Sequence, residues 1–162
     1  MSSWPALDVE RLLERLTTRG VDFVIVGGIA AVLLGSARIT RDLDVCYATD
    51  EGNLEALGEV LLELDARLRG VDEVVPFVPD WRTLRRVELL TLNTDAGPLD
   101  LISRPPGAPG YEALRRNARR FDVGGFSVLV ASIDDMLAMK RSAGRPQDLA
   151  DIEELEAIRR LS

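Results

Sequence analysis

"VGGIAAVLLGSARITRDLDV", Val26 to Val45, is the stretch whose reading decides the fold. The apolar run "VDFVIV" in front of it is rich in β-branched and aromatic residues and predicts a buried strand. That strand ends on the pair Gly27-Gly28, and "IAAVLLGSA" predicts a helix that begins immediately at the glycines. "RDLDVCYAT" alternates polar with apolar residues and predicts a second strand. On a strand, Asp42 and Asp44 project to one face while Leu43 and Val45 point to the other. Two carboxylates roughly 7 Å apart on one face repel each other unless a cation sits between them, and hard divalent ions prefer such oxygen donors. Each motif alone has an ordinary explanation. A glycine pair can simply turn the chain, and an Asp-x-Asp triplet can be a solvated strand face.

Outward from this core, "LDVERLLERLTTRG" carries leucines near helical spacing, with Gly20 as a stop. "DEGNLEALGEVLLELDARLRG" predicts one amphipathic helix running to Gly70. "VDEVVPFVPD" contains two prolines and predicts an edge strand or loop. "RRVELLTLNTDAGPLDLISRP" predicts two strands joined at Asp95-Ala96-Gly97, and "FDVGGFSVLVAS" a hairpin turning at Gly124-Gly125. Between them lies a short basic helix after "PPGAPG". Two helices close the chain, the first with Ser132 as N-cap and the second with Pro146 near its first turn. The chain is expected to be one domain spanning 1–162, with its core over about 20–130 and C-terminal helices over about 132–162.

Composition narrows the chemistry. With no histidine and one cysteine, Cys46, a zinc site, a His-based triad and a disulfide framework are excluded. Cys46 reads as a small core residue. Any metal must be held by oxygen, which points to Mg²⁺, Mn²⁺ or Ca²⁺. No apolar run approaches the roughly 20 residues that span a bilayer, and the N-terminus lacks a signal-peptide pattern, so no membrane role and a cytoplasmic location are expected. The net charge of −7 argues against a surface that holds nucleic acid by general electrostatics.

A third acid gives the opening stretch its weight. In "GPLDLIS" Asp100 stands alone between Leu99 and Leu101 and is expected to be buried in an apolar strand, where a carboxylate costs free energy unless it is paired, hydrogen-bonded or metal-bound. If this strand lies beside that of Asp42 and Asp44, the three carboxylates converge. Gly27 and Gly28, at a strand-to-helix junction, would let a phosphate approach backbone N–H groups at the positive end of a helix.

This combination resembles the nucleotidyltransferase fold of the polymerase-beta superfamily. "GGIAAVLLGSARITRDLD" is most similar to its minimal bacterial branch, the AbiEii/MenT-type toxin-like nucleotidyltransferases, over roughly residues 20 to 155. The resemblance implies an α/β (α+β) fold: a small mixed sheet flanked by helices, with a helical C-terminus. It implies that Asp42 and Asp44 bind the Mg²⁺ or Mn²⁺ ions that hold an NTP. Asp100 would complete one metal site and help deprotonate the attacking hydroxyl, and Gly27 and Gly28 would contact phosphate. The downstream helical lysine and aspartate of that branch match Lys140 and Asp148 in "MLAMKRSAGRPQDLADIEEL". Lys140, the only lysine, would offset charge on the leaving pyrophosphate.

Arg38 and Arg41, on either side of Thr40, are candidates to reach a phosphate or the acceptor, or to neutralise the nearby acids. Arg145 is a weaker candidate of the same kind. Trp81 with Arg82, Arg85 and Arg86 could contact RNA, but a surface strand with a packed tryptophan is preferred. The expected activity is transfer of an NMP from an NTP to an acceptor hydroxyl, with release of pyrophosphate. The acceptor could be a tRNA 3′ end, a protein hydroxyl or a small molecule such as an antibiotic. A cognate antitoxin would then be a partner. The alternative is a non-catalytic, antitoxin-like module of a two-gene system, against which the three acids count.

Overall fold

The computed structural model describes residues 4–71 and 77–162. Helix α1 (Val9–Thr18) starts at Asp8, whose carboxylate accepts the Arg11 N–H at 3.1 Å, and it buries Leu12, Leu13 and Leu16. Strand β1 (Phe23–Val26) is buried at every position, and α2 (Gly27–Leu34) follows it without a connecting residue. Then come β2 (Leu43–Tyr47), α3 (Glu51–Glu63), β3 (Arg67–Leu68), α4 (Trp81–Arg85), β4 (Leu89–Thr94) and β5 (Gly97–Ile102). The chain ends with α5 (Tyr111–Asn117), β6 (Arg119–Val123), β7 (Phe126–Val130), α6 (Ile133–Ala143) and α7 (Asp148–Leu161).

The strands form one mixed sheet in the order β3-β4-β5-β2-β1-β7-β6, flanked by helices. This is the α/β architecture with a helical C-terminus that the sequence leads one to expect. Its register positions the acids. β2 runs antiparallel to β1, with Asp44 opposite Val26, and parallel to β5, with Asp44 opposite Asp100. Alternation fixes that register: Leu43, Val45, Leu99 and Leu101 are fully buried, and each such side chain contributes roughly 1.5–3 kcal/mol by leaving water. A slip of one residue would send these side chains to the face now occupied by Asp44 and Asp100. Cys46 is buried as expected, and burial pushes its thiol up to about 12.

Three local expectations need correction. The helix expected to run to Gly70 stops at Glu63, because Asp65 takes a left-handed conformation (φ +49°) and the chain turns into β3. β3 then pairs antiparallel with β4, Arg67 opposite Asn93. Trp81 lies on a short helix rather than a surface strand: Asp80 caps α4 by accepting the Thr83 N–H at 2.7 Å, and Arg82 and Arg85 stack on the indole at 5.0 and 4.8 Å. The third concerns Asp100, which is only partly buried. The side chain is 15% exposed on the open face of β5, between the wholly buried Leu99 and Leu101. Of the edge strand or loop expected over 71–80, residues 72–76 lie outside the described residues, and 78–80 have no strand conformation.

Candidate active site

Gly27 is the first residue of α2 and has φ +68°, a conformation that glycine adopts without strain. A Cβ there would overlap the Asp44 carboxylate, so the missing side chain is what lets Asp44 lie against the strand-to-helix corner. At Gly28 a Cβ would sit 2.6 Å from Thr40 Oγ1. No side chain caps α2, whose N-cap is Val26, so the first N–H groups of this helix are left to another acceptor.

Asp42, just before β2, Asp44 on β2 and Asp100 on β5 each offer a carboxylate oxygen, and these oxygens lie within 4.8 Å of one another. Burial first, then the charges of Asp42 and Asp100, pushes the Asp44 carboxyl up to about 8. Burial also raises Asp100, against the opposing charge of Arg69. Asp44 Oδ1 is buried with no hydrogen-bond partner among the described residues. Three converging carboxylates, one of which carries an unpartnered oxygen, and no nitrogen or sulfur donor in the cluster fit a hard divalent cation.

Beside Asp42 opens a cleft of about 550 Å³ lined by Gly27, Gly28, Arg38, Thr40, Lys140 and Asp151, among others. Lys140, on α6, donates to Asp151 Oδ2 at 3.0 Å and to Asp148 Oδ1 at 3.4 Å, both on α7. Arg38 forms an ion pair with Asp151 from the α2–β2 connection. Asp148 stands behind this layer. Its side chain is 1% exposed, and it accepts from the Arg145 backbone N–H (3.1 Å), Nε (2.9 Å) and Nη2 (3.1 Å). Those Arg145 hydrogen bonds hold its carboxyl down at about 2. A folded-state value below the unfolded one contributes stability above about pH 4 that is lost as pH falls towards 2. Thermal melts should therefore show the wild type losing more of its melting temperature than Asp148→Asn over that interval. Equal losses would mean that the Arg145 hydrogen bonds do not hold the Asp148 carboxyl down.

The sequence candidates thus separate. Asp42, Asp44 and Asp100 come together at Gly27, and Gly28, Arg38 and Lys140 line the adjoining cleft. Asp148 is enclosed behind Lys140, and Arg41 is exposed and outside the cleft lining. Two charged residues were not anticipated. Asp151 bridges Lys140 and Arg38, and a reading of Asp148, Asp151 and Leu155 as one helical face could have found it. Arg69 donates through Nη2 to Asp100 Oδ1 at 2.7 Å and to the Leu92 carbonyl at 2.7 Å. The helical pattern that continues towards Gly70 in the sequence masks its position after β3. A larger cleft, about 710 Å³, opens where β2 and β5 end, near Tyr47, Ser103 and Arg104, and none of the three acids lines it.

The comparisons with known proteins bear on the family and the fold. A family model described as "Nucleotidyl transferase AbiEii toxin, Type IV TA system" matches residues 11–160. The lincosamide antibiotic adenylyltransferase LnuA, solved with lincomycin bound, superposes with a TM-score of 0.59 at 12% identity, over 95% of this chain and 99% of that one. A Thermotoga maritima protein provisionally assigned as a nucleotidyltransferase gives 0.53 at 15% identity, over 94% and 89% of the two chains. An antigenic nucleotidyltransferase-like protein from Paracoccidioides brasiliensis gives 0.57 at 17% identity, over 98% and 79%. At these identities the structures share the fold alone. A comparison with curated proteins gives no match.

Proposed function

The chain belongs to the AbiEii nucleotidyltransferase toxin family, and from that premise we propose that it transfers an NMP from an NTP to an acceptor hydroxyl, using Asp42, Asp44 and Asp100 as metal ligands. The observation that carries this reading is the orphaned Asp44 oxygen within a three-acid cluster, set against a glycine that admits it. A bound Mg²⁺ or Mn²⁺ supplies charge neutralisation of the triphosphate and lowers the barrier to attack on it.

The residues of the chain do the positioning. Gly27 and Gly28 let Asp44 and Thr40 lie against the start of α2, whose uncapped N–H groups take a phosphate. Lys140 and Arg38, on the same cleft as Asp42, bind the triphosphate and offset charge where pyrophosphate departs. The Asp151 and Asp148 carboxylates hold the Lys140 ammonium at the cleft wall. The acceptor oxygen attacks the α-phosphorus in line, and the bond from that phosphorus to the bridging oxygen of pyrophosphate breaks. The hydroxyl proton leaves by way of the Asp100 carboxylate or solvent. Asp148 acts through Lys140, and Arg41 lies aside from the reaction.

The test is label transfer from each α-labelled NTP with Mg²⁺, offered total RNA, proteins, and aminoglycoside and lincosamide antibiotics as acceptors. Transfer that disappears in Asp42→Ala supports the assignment, and transfer that survives it overturns the assignment. No transfer and no NTP binding would favour a non-catalytic module paired with a second gene product. Lys140→Met should lower kcat about a hundredfold while changing the KM for NTP only a few-fold, the pattern of a group that matters most as charge develops on the leaving group. A rise in KM with unchanged kcat would confine Lys140 to binding.

A further inference from the structure

Arg69 is the one cation that hydrogen-bonds directly to the acid cluster among the described residues. It follows β3, and its backbone N–H donates to the Thr91 carbonyl at 2.9 Å, anchoring the residue to β4. From there the guanidinium reaches along the sheet. One nitrogen, Nη2, donates both to the Leu92 carbonyl and to Asp100 Oδ1, each at 2.7 Å. Thr91 is the β4 residue opposite Asp100, so the anchor, the bridge and the acid lie on three neighbouring strand segments. Arg69 Nε is buried without a hydrogen-bond partner among the described residues, while the side chain as a whole remains 30% exposed.

This arrangement has two consequences for Asp100. One of its oxygens is committed to Arg69, which leaves the other to face Asp42 and Asp44. The fixed positive charge of Arg69 also offsets the repulsion among three carboxylates that lie within 4.8 Å, before any divalent ion arrives. The same charge opposes a divalent ion that binds there. We propose that Arg69 is a positioning residue for the transfer reaction: it fixes the orientation of Asp100 and weakens the hold of the acid cluster on its divalent cation, so that the ion stays exchangeable. The inference rests on the nucleotidyltransferase reading for its catalytic part and on electrostatics alone for its metal part.

The two parts are measured separately on the full chain. Mn²⁺ binding to NTP-free protein is read by electron paramagnetic resonance, and pyrophosphate release by a coupled assay. Arg69→Gln, which retains a side-chain donor but loses the charge, should bind Mn²⁺ about tenfold more tightly and release pyrophosphate at least about tenfold more slowly. Arg69→Lys restores the charge, returns Mn²⁺ affinity to within about threefold of wild type and recovers part of the rate. A purely structural role would weaken both readouts together, in step with a lowered melting temperature. That result, or Mn²⁺ affinity unchanged in Arg69→Gln, overturns the proposal. If neither wild type nor variant releases pyrophosphate while Mn²⁺ tightens in Arg69→Gln, the transferase reading fails and the electrostatic role of Arg69 stands.

Discussion

Asp44→Asn is expected to lower nucleotide transfer at least about a thousandfold and, in the absence of divalent metal, to raise the melting temperature above pH 8. The two effects share one cause. The Asp44 carboxyl is pushed up from 3.8 to about 8, chiefly by burial and then by the charges of Asp42 and Asp100. An acid with a folded-state value above its unfolded one contributes stability that is complete below about pH 4 and is lost as pH rises through about 8. One proton accounts for at most about 1.4 kcal/mol per pH unit of that loss. Asparagine mimics the neutral carboxyl and does not titrate, so the variant escapes the loss. It also exchanges one carboxylate oxygen for an amide NH2 and removes the charge that would hold a metal, so added Mg²⁺ or Mn²⁺ should stabilise the wild type and leave the variant unmoved. Melts at pH 5 and pH 8.5, with and without metal, read the whole pattern. A variant that melts below the wild type at pH 8.5 without metal would show that the native carboxylate is already compensated by the protein.

Much of this site was legible because its signals are local. The apolar run into Gly27, the alternation around Asp42 and Asp44, and the lone acid between Leu99 and Leu101 each follow from residue type and a strand period of two. Their convergence required a pairing that sequence could only pose as a condition, and the register of Asp44 with Asp100 meets it. What escaped depends on contacts distant in the chain or on one unusual backbone angle. Leu61, Leu62, Leu64 and Leu68 continue a helical pattern past Glu63, and only the left-handed turn at Asp65 breaks it. A helix continued through that turn would carry Arg69, whereas Arg69 follows an edge strand and reaches Asp100, 31 residues away in sequence. Asp100 was expected among apolar neighbours. Its neighbours along the strand are apolar, but its own face looks towards Asp42 and Arg69.

Lys140 and Asp148 illustrate the same limit on the helical side. Eight residues separate them, and the turn of Gly144 (φ +61°) between α6 and α7 folds them together. The sequence marks both residues, yet the depth order is a matter of packing. Asp148 is enclosed by Arg145, whereas Asp151, one turn further along α7, reaches the cleft and meets Arg38. Two cations on one cleft wall, each paired with an acid, can exchange part of that pairing for a triphosphate without leaving a bare charge behind.

Gly27→Ala should be nearly as damaging to transfer as loss of an acid, at about a hundredfold or more, although it removes no chemical group. Two costs add at this position. A non-glycine residue at φ +68° carries about 1–2 kcal/mol of backbone strain. The new methyl would also overlap the Asp44 carboxylate, so either that side chain swings away from Asp42 and Asp100 or the corner between β1 and α2 opens. Either movement separates the three oxygens, and Mn²⁺ affinity should fall together with the transfer rate. Strain alone is isolated by Gly125→Ala, at φ +87° in the β6–β7 turn, where an added Cβ meets nothing within 4 Å. That variant should lose stability and keep both Mn²⁺ binding and transfer. Gly28→Ala lies between them, because Gly28 has an ordinary φ and its Cβ would press on Thr40 rather than on an acid. If Gly27→Ala keeps more than about a tenth of the wild-type rate, the close approach of Asp44 to the glycine corner is dispensable. If it loses Mn²⁺ binding while Gly125→Ala does not, the glycine earns its place by making room for the second carboxylate, and its backbone freedom is secondary.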